Sequence, residues 1–319
     1  MCIMVAMAKI IVSGSVAFDR IMDFDGLFSE HFVADKLHSI NLSFQVDRLS
    51  VGFGGTAANV AYNLALLGEQ PEIIATVGSD FGAYRAHLLL SGVEPSSIRE
   101  VEGDLTASAF ILTDRADNQI AAFHFGAGGH AYDIPIVTEG RALAIVSAGC
   151  IADMATLPAE YRRRGFKYLY DPGQALSALS ADQLRDGISG AFMLFGTDYE
   201  LGLIAQKTGW TENAMLEHVP TIVTTYGEKG SRILTRDGES KIGSTKATSA
   251  IDPTGAGDAY RGGFIKGMML GLTLVQCGQF ASTVAAYCVE MYGTQTQKFT
   301  LQEVAKRYAD TYGEALPIH

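Results

Sequence analysis

Short apolar segments alternate with amphipathic segments along most of the chain. Apolar runs of strand length predict strands over Lys9–Val16, Ile73–Val77, Leu143–Ser147, Lys167–Asp171, Ala191–Phe195 and Thr221–Thr225. Apolar residues at helical spacing predict helices over Gly55–Leu67, Phe81–Leu90, Asp198–Lys207 and Gly257–Leu270, and the last quarter is helical in pattern. This alternation is typical of parallel βαβ units, so the predicted fold class is α/β, with helices on both faces of a sheet.

Two stretches depart from this alternation and predict a small second sheet. Residues Lys36–Val51 and Thr106–Phe125 alternate Ile, Leu and Phe with Ser, and the dipeptide Asp117-Asn118 is typical of a turn. Both stretches are inserted among βα units near the N-terminus, which favours a lid over an independent domain. We therefore expect one domain over residues 1–319, with lid strands at approximately 36–51 and 106–125.

Composition narrows the classes of partner. The 319 residues contain 24 Lys+Arg and 35 Asp+Glu, a formal charge of −11, with 48% hydrophobic residues. Without a basic run, a nucleic-acid or anionic-membrane surface is not expected. No apolar run reaches about 18 residues, and the apolar N-terminus lacks the basic start of a signal peptide. Four cysteines without a CxxC pair indicate a reducing compartment. We therefore expect a cytoplasmic enzyme with a small-molecule substrate.

A first glycine cluster, Gly52–Ala57, matches the pattern G-x-G-x-x-A. A dinucleotide site also needs an acidic residue at the far end of the next strand, whereas Glu72 stands at the beginning of that strand. A Walker A motif is absent from the sequence. Tight entry into a closely packed helix explains the glycines equally well. Asn59, one turn into that helix, has a donor and an acceptor suited to sugar hydroxyls.

A second glycine cluster is more informative. Gly255, Ala256 and Gly257 lead into a predicted helix, where backbone N–H groups and the helix dipole favour a phosphoryl anion. Asp258 stands at the helix start. It could be a simple capping residue, but a cap does not need Gly-Ala-Gly before it. The cluster therefore favours a general base that accepts the proton of an attacking hydroxyl beside an anion hole.

At this point the motifs DPTGAGDAYRGG and GGTAANVAYNLALLG resemble the two signatures of the ribokinase superfamily, the phosphofructokinase-B type of sugar and nucleoside kinases. The resemblance runs nearly end to end. The segments GSVAFDRIMDF, INLSF, DNQIAAFH, DPGQAL, TDYELGLIAQKTGW and VTTYGEKGS are more similar to bacterial adenosine or nucleoside kinases. The resemblance implies a three-layer α/β/α ribokinase-like domain with a small β-sheet lid. It also implies ATP-dependent phosphorylation of a nucleoside 5′-hydroxyl, with adenosine the leading substrate and Asp258 the base.

By position, the resemblance assigns nucleoside contacts. Asp19, at the end of the predicted first strand, would bind the ribose 2′- and 3′-hydroxyls with Gly55 and Asn59. Phe110 and Phe123, in the predicted lid, would surround the base, although aromatic residues on strands are more often core. Two further candidate contacts to the nucleoside are Asn41 and Gln174.

The resemblance also assigns nucleotide and metal contacts. Thr225 and Gly227 would approach ATP, together with Gly255 and Gly257 of the anion hole. The family's Asn-x-x-Glu motif falls on Thr197–Glu200, so Glu200 would hold Mg²⁺ through a water. Thr197 replaces the family's Asn, and a helix-start Glu acting only on the helix dipole is the alternative.

Other interpretations remain open at this point. A kinase of a free sugar such as ribose or fructose would carry the same two motifs, and a non-catalytic nucleoside or nucleotide sensor would retain the fold. In parts of the family a monovalent cation binds backbone carbonyls near the anion-hole loop. The lid edge invites pairing between two copies of the chain, because exposed strand edges attract partners.

Overall fold

The computed structural model describes residues 9–32, 39, 41–116 and 118–317. Its strands are β1 Lys9–Ser13, β2 Ala17–Asp23, β3 Arg48–Gly54, β4 Glu72–Ile74, β5 Thr76–Gly78, β6 Arg99–Val101, β7 Ala107–Thr113, β8 Gln119–His124, β9 Ala142–Ser147, β10 Lys167–Asp171, β11 Met193–Thr197, β12 Thr221–Thr225, β13 Ser231–Thr235 and β14 Gly238–Ile242. Its helices are α1 Phe28–His31, α2 Thr56–Leu66, α3 Gly82–Leu90, α4 Ile151–Arg163, α5 Ala181–Ile188, α6 Asp198–Thr208, α7 Glu212–His218, α8 Ala256–Met269, α9 Leu274–Val289 and α10 Leu301–Tyr312.

The main sheet has the strand order β14-β13-β12-β11-β10-β9-β1-β4. The strands from β12 to β4 are parallel, and β13 and β14 extend the sheet as antiparallel strands. Alternate residues of β1 enter two cores, since Ile10 and Val12 pack with the α2 and α8 side whereas Ile11 packs with the α4 and α5 side. Helices thus cover both faces, and the predicted three-layer α/β architecture is confirmed.

Two predicted strands in the first half of the chain have the wrong bounds. The strand predicted over Lys9–Val16 ends at Ser13, and after a short connection the chain continues as β2 in another sheet. The strand predicted over Ile73–Val77 is divided into β4, which pairs with β1, and β5, which pairs with β6. The first break falls at Ser13-Gly14-Ser15, a turn that the pattern does mark. The second is not marked by the pattern, because residues Ile73–Val77 are buried on both sides of it.

Strands from the first half of the chain form a separate small sheet, with the order β3-β2-β7-β8. Strands β7 and β8 fall within the predicted segment 106–125. Of the predicted segment 36–51, the described residues 39 and 41–47 form no strand, and β3 begins at Arg48. Phe44, in the stretch before β3, packs its ring against Phe24 and Phe28. Residues 36–38, 40 and 117 of these predictions lie outside the described residues, as do residues 1–8 and 33–35.

The parallel strands place a crevice at their carboxyl ends. Strand β1 lies between β4 and β9, so the direction in which the sheet grows reverses at this strand. In open α/β sheets, ligands bind at the carboxyl edge beside such a reversal. Among the described helices, none has both the length and the apolar character needed to cross a bilayer.

Candidate active site

Helix α8 begins at a sharp turn that only glycine fits. Gly255, the residue before the helix, has a φ of 78°, in the left-handed region. A Cβ on this residue would lie 2.8 Å from Cγ2 of Thr294. Both the backbone conformation and the close approach therefore require glycine, and they turn the first amides of the helix toward the crevice.

Two backbone amides at this helix start are available to an anion. The Ala256 N–H donates to the Pro253 carbonyl at 3.1 Å, so it does not join the anion hole to which the sequence assigned it. The N–H groups of Gly257 and Asp258 follow in the first turn, where helix geometry provides no backbone acceptor. Partial positive charge from the helix dipole adds to them.

The carboxylate of Asp258 stands at the same helix start, half-buried. Asn59 Nδ2 donates to its Oδ2 at 2.8 Å, which joins α2 to α8. Burial raises the pKa of Asp258 to about 7, against the hydrogen bond from Asn59 and the charge of Arg261, which lower it. The negative charges of Asp171 and Asp19 raise the pKa further. Asp258 can therefore exchange a proton near neutral pH.

Arg261 is paired within the protein. Its Nε and Nη2 donate to the two carboxylate oxygens of Asp171 at 2.9 and 3.0 Å, and both side chains are buried. Burial by itself would lower the pKa of Arg261, but the charge of Asp171 outweighs it and the pKa is raised. The bidentate pair holds α8 against the carboxyl end of β10. Because Asp171 neutralises most of the charge of Arg261, little positive charge remains there for a phosphate.

Asp19 lies on β2 of the small sheet, so its predicted place at the end of the first strand is wrong. Its carboxylate faces Gly54, where an added Cβ would overlap it. Burial raises the pKa of Asp19 to about 6, and the charge of Asp252 adds to this rise. The structure thus brings a second carboxylate near Asp258 from a different sheet.

Gly55 and Asn59 begin α2 at the same crevice. Gly55 has a φ of 92°, and a Cβ there would lie 2.6 Å from the Ser15 carbonyl oxygen. Close approach of two backbones therefore requires this glycine, whether or not it touches a ligand. Asn59 is buried, and its carboxamide keeps one N–H beyond the hydrogen bond to Asp258.

The two lid phenylalanines point to opposite faces of the small sheet. Asp19 pairs with Ala109, and Ala109 with Phe123, so Phe123 shares the face of Asp19. Phe110 pairs with Arg20, whose guanidinium lies 5.8 Å from the ring centroid on the other face. The prediction that both rings surround one ligand is therefore wrong for Phe110. On the Asp19 side, sequence reasoning missed Phe125, which meets Phe123 edge-on with ring centroids 4.9 Å apart.

Of four further residues predicted to contact a ligand, three lie at the carboxyl edge of the main sheet and one lies elsewhere. Gln174 is exposed just beyond the carboxyl end of β10, and Thr225 ends the parallel strand β12. Gly227 begins the next turn with a φ of 60° and open space around it. These three lie along the edge that carries Asp258, whereas Asn41 is exposed in the segment leading to β3.

Glu200 takes part in a capping box at the start of α6. Its Oε2 accepts the Thr197 N–H at 2.7 Å, and Thr197 Oγ1 accepts the Glu200 N–H at 3.2 Å. Threonine suits this motif, which gives a structural reason for Thr197 in place of the family's Asn. One oxygen of Glu200 remains for a water. In the described part of the chain, no group of three or more acidic, His or Cys residues could hold a metal by itself.

Sequence reasoning also missed Gln295 and Tyr84. Gln295 is buried and donates from Nε2 to Asn59 Oδ1 at 2.8 Å and to the Tyr84 hydroxyl at 2.7 Å. The one available signal was a run of polar residues, Thr294–Gln297, shortly after the apolar helix α9, which ends at Val289.

The chain is similar to known kinases along nearly its whole length. Residues 7–300 match the family model of the pfkB family carbohydrate kinases. A nucleoside kinase of Methanothermobacter thermautotrophicus is 35% identical over 96% of this chain and 97% of its own. The solved nucleoside kinase of Methanocaldococcus jannaschii has a TM-score of 0.86 at 29% identity, covering 96% of this chain and 99% of that one.

Burkholderia thailandensis nucleoside kinase was solved in complex with inosine. It has a TM-score of 0.82 at 35% identity, covering 96% of this chain and 99% of that one. Its complex with ADP-inosine has a TM-score of 0.80 at 36% identity, covering 96% and 97%.

The substitution Asp258→Asn is expected to stabilise the protein at pH 8 but not at pH 4. The folded-state pKa of Asp258 is raised to about 7, so its stability contribution is full below the unfolded-state pKa and is lost as the pH rises through about 7. We expect a Tm about 1–2 °C above that of the parent at pH 8 by scanning fluorimetry, the shift that about 1 kcal/mol produces in a chain of this length.

The exposed Asp310 of α10 provides the control, since Asp310→Asn should leave the pH dependence of Tm unchanged. A Tm difference for Asp258→Asn that is the same at every pH would contradict the raised pKa.

Proposed function

Because this chain belongs to the pfkB family of carbohydrate kinases, we propose that it transfers the γ-phosphoryl group of ATP to the 5′-hydroxyl of a purine nucleoside, with adenosine the leading substrate. The observation that carries the proposal is the Asp258 carboxylate, held by Asn59 beside two amides at a helix start. The nucleoside kinases among the relatives, one of them solved with inosine, support a nucleoside over a free sugar.

Proton transfer and phosphoryl transfer occur at the start of α8. The 5′-hydroxyl gives its proton to the Asp258 carboxylate while its oxygen bonds to the γ-phosphorus, and the bond from that phosphorus to the β,γ-bridging oxygen breaks to release ADP. The N–H groups of Gly257 and Asp258 hold the charge of the transferring group. A base with a pKa near the working pH is well matched to this step.

The nucleoside lies between the crevice and the small sheet. Asp19 accepts hydrogen bonds from the ribose 2′- and 3′-hydroxyls, and the second N–H of Asn59 donates to a sugar oxygen. The base stacks on Phe123, which Phe125 supports from the side. Two more residues are proposed to contact the nucleoside, Gln174 from the turn after β10 and Asn41 from the segment before β3.

ATP lies along the carboxyl edge of β11 and β12. Thr225 and Gly227 approach the nucleotide, and Gly255 and Gly257 let the backbone approach its phosphates. The free oxygen of Glu200 suits a water of Mg²⁺, which keeps most of its own waters and binds mainly the phosphates. When bound, Mg²⁺ neutralises charge on the β- and γ-phosphates. A monovalent cation at nearby backbone carbonyls remains part of the proposal.

Two alternatives predict different ligands or no turnover. A free-sugar kinase has no use for an aromatic pair on the inner face of the small sheet, where Phe123 and Phe125 lie. A non-catalytic sensor has no use for a base, yet Asp258 is desolvated, hydrogen-bonded and flanked by free amides. Both observations favour a nucleoside kinase.

The purified protein is expected to convert adenosine to AMP with ATP and Mg²⁺, and Asp258→Asn to lower kcat by about 10²–10⁴-fold, the contribution typical of a positioned base. Product mass is measured for a panel of adenosine, inosine, guanosine, cytidine, ribose, fructose and fructose 6-phosphate. The same assay with K⁺ in place of Na⁺ tests the monovalent cation. Turnover of only a sugar would refute the nucleoside proposal, and silence across the panel would favour the sensor.

Phe123→Ala is expected to raise the KM for the nucleoside about tenfold, because a stacked base loses roughly 1–3 kcal/mol of contact. Phe110→Ala is the matched control: it removes the same ring from the neighbouring strand, but on the opposite face. Steady-state kinetics measure both. Equal effects of the two substitutions, or an effect of Phe110→Ala alone, would contradict the placement of the base.

We further propose that two copies of the chain associate through the small sheet. Met22, Leu49, Leu112 and Ile120 form one apolar row across the outer face, and the side chains of Leu49 and Ile120 are 61% and 42% exposed. Strand β8 is an outer strand with all six residues exposed. Apolar area next to an open strand edge favours a partner of the same kind.

Leu49→Lys is expected to convert a dimer to a monomer, measured by sedimentation velocity or light scattering, because a charge in the apolar row would be desolvated on association. Leu90→Lys is the control, since Leu90 is 90% exposed on α3, away from this row. A parent protein that sediments as a monomer, or a dimer unaffected by Leu49→Lys, would refute this interface.

A further inference from the structure

We propose that Gln295 is a positioning residue for the reaction: its side-chain amide sets the orientation of the Asn59 carboxamide, so that Asn59 presents N–H and not C=O to the base Asp258. The inference rests on the proposed function for its consequence in catalysis. Its geometric part concerns the protein alone.

The hydrogen bonds run in one direction toward Asp258. Gln295 Nε2 donates to Asn59 Oδ1 at 2.8 Å, and Asn59 Nδ2 donates to Asp258 Oδ2 at 2.8 Å. Gln295 Oε1 lies 3.0 Å from Nε2 of His87, which completes the chain when that nitrogen carries a proton. A carboxylate only accepts, so a chain of donors aimed at it favours its ionised form.

Tyr84 determines which end of the Gln295 amide carries the donors. The Tyr84 hydroxyl donates its single proton to the Gly54 carbonyl at 2.6 Å, so it can only accept from Gln295 Nε2, at 2.7 Å. With both N–H groups directed to Tyr84 and Asn59, the amide of Gln295 cannot be reversed without losing two hydrogen bonds. Tyr84 is fully buried, so water cannot replace them.

The backbone conformation of Gln295 is also unusual for a residue with a side chain. Its φ of 57° makes it the non-glycine residue with a positive φ in the described part of the chain. A long side chain in this conformation costs free energy, and such residues persist where the surroundings hold them for a purpose. The conformation turns the buried amide between α2 and α3.

Several charged or titratable groups surround Asp258 and would act on it in any variant. They come from separate elements: Arg261 from α8, Asp171 from β10, Asp19 from β2, Cys288 from α9 and Tyr84 from α3. Asp252, in the loop before α8, acts on two of these groups, Asp19 and Cys288. His87 is beyond Gln295, and burial lowers its pKa. Of the neighbours of Asp258, Asn59 gives the hydrogen bond that lowers its pKa.

The test compares Gln295→Met with Gln297→Met. Methionine keeps the length and volume of glutamine but neither donates to Asn59 nor adds charge. Gln297 is the matched control, because its Nε2 donates to Asn63 Oδ1 at 3.0 Å, one turn further along α2, and both residues are buried. Each substitution thus removes one buried glutamine-to-asparagine hydrogen bond, but Asn59 and not Asn63 contacts Asp258.

We expect Gln295→Met to move the acid limb of the kcat/KM profile upward by about half to one pH unit, since a hydrogen bond to the ionised form is weakened. Turnover at pH 6 then falls about three- to tenfold, while turnover at pH 9 stays within about twofold. Gln295→Glu, which cannot donate from that position, should shift the limb at least as far. Gln297→Met should lower the Tm without moving the profile.

A second readout does not depend on turnover. The Tm difference between Asp258→Asn and its parent, followed from pH 4 to 9, grows from the unfolded-state pKa of an Asp, about 4, and levels off above the folded-state pKa of Asp258. Repeating the pair in the Gln295→Met background should move the pH at which the difference levels off upward by the same half to one unit. An unchanged levelling-off pH, or an equal move with Gln297→Met, would overturn the role of Gln295. A parent protein that phosphorylates no nucleoside would overturn the proposed function alone.

Discussion

The hydrogen bond from Asn59 to Asp258 is the contact on which the rest of the site depends. It joins two helices whose residues are 199 positions apart in the chain. Burial favours the protonated form of Asp258, and a base must be available in the ionised form, so a donor directed at the carboxylate offsets part of the desolvation. Gly262 of α8 permits the close approach of α2 that brings the donor within reach, since an added Cβ there would lie 3.0 Å from Asn63 Cβ and 3.3 Å from the Val60 carbonyl oxygen.

The buried ion pair of Arg261 and Asp171 also fixes the position of helix α8, which carries Asp258. A buried ion pair is weak evidence of net stability, because desolvating both ions offsets much of their attraction. Its geometric effect is clearer: the bidentate contact holds the first turn of α8 against the end of β10. The cation lies beside Asp258 but is largely neutralised. The anion site therefore consists of backbone amides, whose charge does not change with pH.

The two sheets have different roles in the proposed reaction. The main sheet brings the phosphate-handling loop and the nucleotide edge together at the carboxyl ends of its parallel strands, as the reversal at β1 dictates. The small sheet contributes Asp19 and Phe123 on its inner face and an apolar row on its outer face. In the proposed reaction, selectivity for the acceptor is therefore carried by a different sheet from the one that positions Asp258.

The sequence by itself determined the α/β class, the strands Lys167–Asp171 and Thr221–Thr225, and the helix start at Asp258, because hydrophobic periodicity and glycine turns are local properties of the chain. Only the tertiary structure decided that Phe110 faces away from Asp19 and that Gln295 orients Asn59. Side chains alternate along a strand, so the face of a ring follows from pairing register, and the partner of a buried amide follows from contacts between distant segments.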